Sequence, residues 1–173
     1  MELDAIFKEL ENKLAGMMDE LEPVPCDAPV ADCEVIAFDG TEKDNTRWKA
    51  LMEEHLQTAA TFEIHCWSDE TAEIMAALRY GQKVKTSWSG GTVIRGRITR
   101  EFLSFLTEAK KPTDTEIYNK MTPFFTIVFG DTLHSEHYGT EIIISKVIRE
   151  KQPAVDRILD QMSEIGTVHR NIG

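Results

Sequence analysis

Residues 83–98, with the sequence KVKTSWSGGTVIRGRI, predict a β-hairpin whose two strands meet at a glycine-rich turn. A three-residue loop over 89–91 would pair Val84 with Gly96 and would separate the apolar side chains from the charged ones. A two-residue loop would mix both kinds of side chain on both faces. Because burial of one face fixes the register strongly, the sequence favours the three-residue loop. It then predicts an apolar face that includes Trp88, and an opposite face that carries four cations: Lys83, Lys85, Arg95 and Arg97.

The predicted cationic face belongs to a chain that is acidic overall. The formal net charge is -11, from 30 acidic and 19 basic side chains. Residues 1–60 hold 15 acids and 5 bases, whereas residues 79–111 hold 8 bases and 2 acids. A separation of charge of this kind describes what the surfaces contact rather than the fold itself. The hairpin is therefore a candidate binding surface.

Three interpretations of the cationic face are open. Like charges opposite each other on two strands are destabilising, so a compensating contact is expected unless the side chains are simply solvated. The compensating anion is either the acidic N-terminal segment of the same chain or an external partner, such as an acidic protein or a phosphate. Nucleic acid is disfavoured as the partner, because its binding is driven by phosphate neutralisation and this chain is acidic.

The composition restricts the class of protein. With 173 residues, of which 42% are hydrophobic and 28% charged, the chain can bury a core and is typical of globular proteins. No apolar run approaches the roughly 18 residues that cross a bilayer, and the acidic N-terminus lacks the features of a signal peptide. Three cysteines without close pairing argue against a disulfide framework. We therefore expect a soluble cytoplasmic protein without a membrane partner.

Residues 1–33 are predicted to form an appended segment, made of an acidic amphipathic helix and a proline-rich linker. The apolar stripe of that helix would either dock on the chain's own domain or form a homodimer seam through residues 3–21. Residues 34–173 form the predicted main domain. We expect it to be α+β, with a mostly antiparallel mixed sheet covered by helices.

Before the hairpin, the spacing of apolar residues predicts two strands, at 34–38 and 61–67. It also predicts two helices, at 45–60 and 68–78. Asp44 would cap the first helix, and Gly81 would end the second in the left-handed conformation. After the hairpin, Thr99 would cap another helix. A capping box formed by Thr113 and Glu116 predicts a short helix to about residue 120. Two further strands are predicted at 124–129 and 141–148, and a last helix begins at residue 153.

The connection between the last two predicted strands is a candidate metal or catalytic site. It would be a loop over 130–139, longer than most hairpin loops, and it carries ligand-type side chains. Imidazole and carboxylate groups at short spacing can bind zinc or a similar divalent cation. The candidate ligands are His134, Glu136 and His137, joined by His65 if its strand lies beside the loop. A polar surface loop that binds no cofactor explains the same residues.

Two classes of function follow from these patterns. The charges favour a small non-catalytic interaction protein that binds a protein partner through charge-complementary surfaces, such as an inhibitor or a toxin-immunity-like protein. A catalytic pair of Cys66 and His65 is disfavoured, because neighbouring residues on a strand point to opposite faces. The alternative is a metal-dependent, hydrolase-like enzyme centred on His134 and His137.

Overall fold

The computed structural model describes residues 34–38, 43–56, 59–114, 116–130, 133–144, 153, 156–157, 160 and 168–172. The chain divides into two units between Val30 and Ala31, and all the described residues lie in the second unit. The predicted N-terminal helix, its homodimer seam and the proline-rich linker fall outside the described residues, as does most of the predicted last helix. No helix in the described part of the chain is long and apolar enough to cross a membrane.

The described residues include three α-helices and eight β-strands. The helices are α1 (Thr46–Leu56), α2 (Thr71–Ala77) and α3 (Arg100–Glu108). The strands are β1 (Glu34–Phe38), β2 (Thr61–Trp67), β3 (Gly81–Val84), β4 (Gly91–Arg97), β5 (Thr126–Phe129), β6 (Leu133–Glu136), β7 (Glu141–Ile144) and β8 (Val168–Ile172). They form one sheet in the order β3-β4-β2-β5-β6-β7-β1-β8. Every neighbouring pair is antiparallel, which confirms the α+β class and makes these strands a purely antiparallel sheet.

One face of the sheet carries the hydrophobic core. Alternate strand residues point to this face and are buried, among them Phe62, Ile64, Ile94, Ile127, Phe129, Leu133 and Ile142. Trp48 of α1 donates a hydrogen bond from Nε1 to Ser135 Oγ at 2.9 Å. The Phe102 ring of α3 stacks on the Phe62 ring, with the centroids 3.7 Å apart. The helices therefore cover this face, and the sheet's polar side chains lie on the other one.

Two predicted helix caps are present. Asp44 Oδ1 accepts a hydrogen bond from Thr46 N at 2.9 Å at the start of α1. Thr99 Oγ1 accepts one from Phe102 N at 3.2 Å at the start of α3. Both caps are local contacts between residues two or three apart in the chain, which is why the sequence alone predicts them.

The helix predicted from the capping box at 113–116 is wrong. None of the described residues between 112 and 120 is helical. Asp114 engages the segment instead: its carboxylate accepts hydrogen bonds from Lys120 Nζ at 2.8 Å and from Glu116 N at 3.5 Å. Side-chain contacts of this kind satisfy backbone groups in a turn and compete with helix formation.

The predicted role of Gly81 is also wrong. Helix α2 covers Thr71–Ala77, which is shorter than the predicted 68–78, and Gly81 opens strand β3. The glycines with positive φ among the described residues are Gly130 and Gly139. At Gly81 a Cβ would lie 2.5 Å from the carbonyl oxygen of Arg95, so glycine permits the close approach of β3 to β4.

The register of the hairpin differs from the predicted one by three residues. A loop over 85–90 joins β3 to β4, and Val84 pairs with Val93 rather than with Gly96. Lys83 lies opposite Ile94. An odd shift exchanges the faces of one strand relative to the other. The prediction that one face carries all four cations is therefore wrong.

The four cations occupy different environments. Lys83 is exposed on β3 at the edge of the described sheet, Lys85 is exposed in the loop, and Arg97 is exposed at the end of β4. Arg95 is only 7% exposed and points to the sheet face opposite Ile94. Trp88, predicted in the core, lies in the loop and is partly exposed.

The predicted loop over 130–139 contains a strand. Residues Leu133–Glu136 form β6, and a short 3-10 turn, His137–Gly139, leads into β7. The alternating burial of β6 places Leu133 and Ser135 in the core. Strand β5 begins at Thr126, two residues later than predicted, and the part of the last predicted strand beyond Ile144 is outside the described residues.

Candidate functional site

The polar face of the sheet carries a row of hydrogen-bonded side chains on β4 and β2. Arg95 pairs with Glu63 across the two strands, and both are buried. Glu63 Oε2 accepts hydrogen bonds from Arg95 Nη2 at 2.7 Å and from Arg95 Nε at 3.1 Å. His65 Nε2 lies 2.6 Å from the other carboxylate oxygen, Oε1. Glu63 thus holds an arginine and a histidine at once.

The row continues onto β5 and β6. Thr126 pairs with His65 across β2 and β5, and its hydroxyl donates a hydrogen bond to Glu136 Oε2 at 2.7 Å. The other oxygen of Glu136 lies 3.5 Å from His134 Nδ1. We call this set the polar row: Arg95, Glu63, His65, Thr126, Glu136 and His134.

The two carboxylates of the polar row are held in the ionised form. Burial raises the pKa of Glu63, but hydrogen bonds from His65 and Arg95 outweigh burial, and the pKa falls below its ordinary value. Burial likewise raises the pKa of Glu136, and hydrogen bonds from His134 and Thr126 lower it by more. Both carboxylates are therefore already engaged with partners on neighbouring strands.

The candidate metal ligands separate into different contacts. His134 lies on β6 beside Glu136, His65 lies on β2 beside Glu63, and His137 lies in the 3-10 turn. The Nδ1 atom of His137 is 3.4 Å from Glu141 Oε2. Across the described residues, no group of three or more histidine, cysteine or acidic side chains could hold a metal ion. The metal hypothesis therefore gains no support from this part of the chain.

The turn that follows β6 has an unusual backbone. His137 and Tyr138 have φ angles of 50° and 61°, and Gly139 follows with a φ of 82°. Positive φ is unfavourable for residues other than glycine and marks a position that the surroundings hold in place. Tyr138 N donates a hydrogen bond to Phe125 O at 2.9 Å, and Tyr138 O accepts one from Met121 N at 2.8 Å. The backbone contacts therefore fix the direction in which the turn presents its side chains.

The Tyr138 side chain ties this turn to the start of α2. Its hydroxyl donates a hydrogen bond to Glu70 Oε1 at 2.6 Å, while Glu70 Oε2 accepts one from Trp67 N at 2.7 Å. Burial, and then the hydrogen bond to Glu70, raise the pKa of Tyr138, so the phenol stays protonated. On the ring, Lys120 Nζ lies 4.2 Å from the centroid, in a cation–π contact.

A continuous line of rings ends at His65, which also belongs to the polar row. Neighbouring ring centroids along the line are 4.7–5.9 Å apart, the range in which aromatic side chains pack favourably. Trp67 is 37% exposed, and the other members are partly exposed. We call this surface the aromatic band; in order along the line, it consists of Tyr118, His137, Phe125, Trp67, Trp88 and His65.

The loop over 85–90 holds Trp88 against Trp67 within the aromatic band. Gly90 lies between the two indoles, because a Cβ at this position would be 2.6 Å from Trp88 Cζ2 and 2.7 Å from Trp67 Cζ3. The Gly90 carbonyl accepts a hydrogen bond from Ser68 Oγ at 3.3 Å. This packing accounts for the loop's length, since the chain must leave β3 early to bring Trp88 to Trp67.

Three acidic side chains lie close to members of the aromatic band, two of them along the chain and one in space. Asp69 is exposed two residues after Trp67, and Glu116 is exposed two residues before Tyr118. Glu141 approaches the imidazole of His137. Ile117, at 86% exposure, lies between Glu116 and Tyr118 in the chain. We call Asp69, Glu116 and Glu141 the acidic rim.

The thiol of Cys66 is unsuited to catalysis. It is fully buried in the core, and burial, followed by the charge of Glu70, raises its pKa to about 12. Its chain neighbour His65 lies in the polar row on the other face of the sheet. No thiolate is therefore available beside this histidine at neutral pH.

Sequence reasoning missed the aromatic band. Trp67 and Phe125 lie in segments that the sequence predicts as strands, 61–67 and 124–129, but neither residue was assigned to a binding surface. The signal that was available is the side of β2 away from the core, where Glu63, His65 and Trp67 alternate with apolar residues. The contact of Trp88 with Trp67 joins residues far apart in the chain, and no local pattern indicates it.

Comparison of the chain with known protein families, curated proteins and solved structures finds no match.

Proposed function

We propose that the chain is a small non-catalytic interaction protein that acts in the cytoplasm and binds a basic protein partner, as an inhibitor or a toxin-immunity-like protein would. The observation that carries this proposal is the aromatic band with its acidic rim. Tryptophan and tyrosine are enriched among the residues that dominate protein–protein affinity, because each brings a large rigid surface at a small cost in conformational entropy.

The band is organised before any partner arrives. Gly90 packs against both indoles, and the backbone contacts of Tyr138 hold the turn that presents His137. Binding through a preformed surface loses less conformational entropy than binding through one that must first be ordered. The rigidity of the band therefore supports a binding role.

The charge of the chain supports a basic partner. A net charge of -11 creates a negative potential that accelerates the encounter with a cationic protein. The rim supplies carboxylates, and that of Glu141 lies 3.4 Å from the imidazole of His137, a member of the band. In this division of roles, charge sets the association rate and the rings set the lifetime of the complex.

The polar row supports a structural role rather than a catalytic one. Its two carboxylates, Glu63 and Glu136, are hydrogen-bonded to Arg95, His65, Thr126 and His134. A general base must reach a substrate and accept its proton. These two carboxylates instead accept hydrogen bonds from neighbouring side chains of the sheet.

Affinity purification from the native source, followed by quantitative mass spectrometry, tests the proposal. The wild type should enrich a basic protein, and Trp67→Ala should weaken the purified complex about tenfold or more, as loss of a central tryptophan does at other interfaces. The matched control is Met75→Ala, which removes a side chain that is 62% exposed on α2. Circular dichroism confirms that both variants fold.

Full retention of the partner by Trp67→Ala would overturn the proposal, and so would an equal loss with Met75→Ala. An enriched partner of acidic character would contradict the argument from charge.

A further inference from the structure

Building on that proposed function, we propose that the aromatic band binds arginine side chains of the partner, stacked on its rings and paired with its acidic rim. Such a contact is more specific than a general preference for positive charge, which a lysine-rich partner would satisfy equally.

The rings present flat faces of the kind on which a guanidinium stacks. Trp88 and Phe125 are nearly parallel, with an interplanar angle of 13° and centroids 6.4 Å apart. Tyr118 and His137 are also nearly parallel, at 8° and 5.9 Å. All four side chains are partly exposed, and the Phe125 ring also packs against the His137 and Tyr138 rings. A planar cation can lie on such faces, held by dispersion and by the ring quadrupole.

The chain itself makes a cation–π contact close to this surface. Lys120 Nζ lies 4.2 Å from the ring centroid of Tyr138, and the Tyr138 ring packs on both Tyr118 and Phe125. The Lys120 ammonium is also held by Asp114 at 2.8 Å. The Tyr138 ring and the Asp114 carboxylate therefore share one cation, which is the arrangement proposed for the partner's arginines.

The acidic rim supplies the carboxylates that the guanidinium needs. Asp69 and Glu116 are exposed, and each lies two residues along the chain from a ring of the band, Trp67 and Tyr118 respectively. Arginine can stack on a ring and form two parallel hydrogen bonds to a carboxylate with the same planar group. Lysine is more strongly hydrated and presents a point charge, so it gains less from rings that are only partly exposed.

The test uses the full-length chain and two synthetic peptides of equal length, oligo-arginine and oligo-lysine. Binding is followed by tryptophan fluorescence, because Trp67 and Trp88 lie in the band while Trp48 is buried in the core and gives a constant background. We expect oligo-arginine to bind about fivefold tighter than oligo-lysine at the same salt concentration, from the added stacking. Equal affinities would overturn the inference, because they would indicate charge attraction alone.

Two variants locate the contact. Trp67→Leu should remove most of the preference for arginine, leaving the two peptides with similar affinities. Asp69→Asn combined with Glu116→Gln should weaken oligo-arginine binding about fivefold. The matched control, Glu53→Gln combined with Glu108→Gln, removes two exposed charges from α1 and α3 and should leave the preference for arginine unchanged. An arginine preference that survives Trp67→Leu would place the contact elsewhere and would overturn the inference.

The natural partner separates this inference from the proposed function. If arginine-to-lysine changes in the partner leave its affinity unchanged while Trp67→Ala weakens it, the function stands and the arginine contact is wrong. If Trp67→Ala has no effect on the natural complex, the proposed function itself is wrong.

Discussion

At the scale of single residues, Glu63 contributes to stability by binding two side chains of the sheet at once. Its carboxylate holds the buried guanidinium of Arg95 and the imidazole of His65, so its removal would take a negative charge away from a buried cation. We expect Glu63→Gln to lower the free energy of unfolding by about 2–3 kcal/mol, since the amide keeps an acceptor but loses the charge. Urea denaturation at neutral pH measures this change.

A matched control for Glu63 is Asp114, which pairs with Lys120 on the surface. Its carboxylate is 65% exposed, so water and salt screen the pair. Asp114→Asn should leave the stability unchanged. Equal effects of the two substitutions would show that burial of the Arg95 contact contributes nothing.

The two carboxylates of the polar row also set the response to acid. The pKa values of Glu63 and Glu136 lie below the ordinary value of 4.5 in the folded chain. Between the folded and unfolded pKa values the unfolded chain binds more protons, so their stabilising contribution is present above about pH 4.5 and is lost as the pH falls below it. Urea titrations from pH 7 to acid should show this loss, and Glu136→Gln should make it shallower. A steeper acid dependence in Glu136→Gln would contradict this assignment.

At the scale of helices and strands, the contribution of a helix cap to stability can be measured by comparing Thr99 with Thr113. Thr99 accepts the hydrogen bond of Phe102 N at the start of α3, so Thr99→Ala should lower the unfolding free energy by about 1 kcal/mol. Thr113 has the same sequence signature but starts no helix, so Thr113→Ala should leave the melting temperature unchanged. Thermal unfolding of both variants measures the difference. A similar loss in both would mean that the threonine hydroxyl acts other than as a cap.

The same comparison shows what sequence could predict of the fold. Strands β1 and β2, and the caps at Asp44 and Thr99, depend on neighbours in the chain and were predicted correctly. The signature at Thr113 failed because Asp114 offered the backbone and Lys120 a competing contact.

The hairpin register failed for a different reason. Two contacts distant in the chain determine it: Glu63 neutralises Arg95 from β2, and Trp67 packs against Trp88. The first allows an arginine to be buried where alternation alone would expose it. The contact of Trp88 with Trp67 places residues 85–90 in a loop, so that β3 ends at Val84. Neither contact has a local signature, so neither the register nor the aromatic band could be derived before the strand order was known.

At the scale of the whole molecule, we expect the folded state to be independent of metal. His134 and His137 each lie near a carboxylate of their own, Glu136 and Glu141, instead of converging on one point. Protein purified without a histidine tag should contain far less than one zinc per chain, and EDTA should leave the melting temperature unchanged. Stoichiometric metal together with a chelator-induced fall in melting temperature would restore the metal hypothesis.

The strand order has a consequence for synthesis. Among the described strands, β1 pairs with β7 and β8, so Glu34 finds its partners at Ile144 and Ile172, more than 100 residues later in the chain. A ribosome delivers β1 before any of the other described strands, yet its hydrogen bonds must wait for the latest ones. Closing so long a loop is slow, and an unpaired strand is a template for other chains. The sheet is therefore completed only after β8 has been synthesised, and until then β1 is the segment that a chaperone would have to protect.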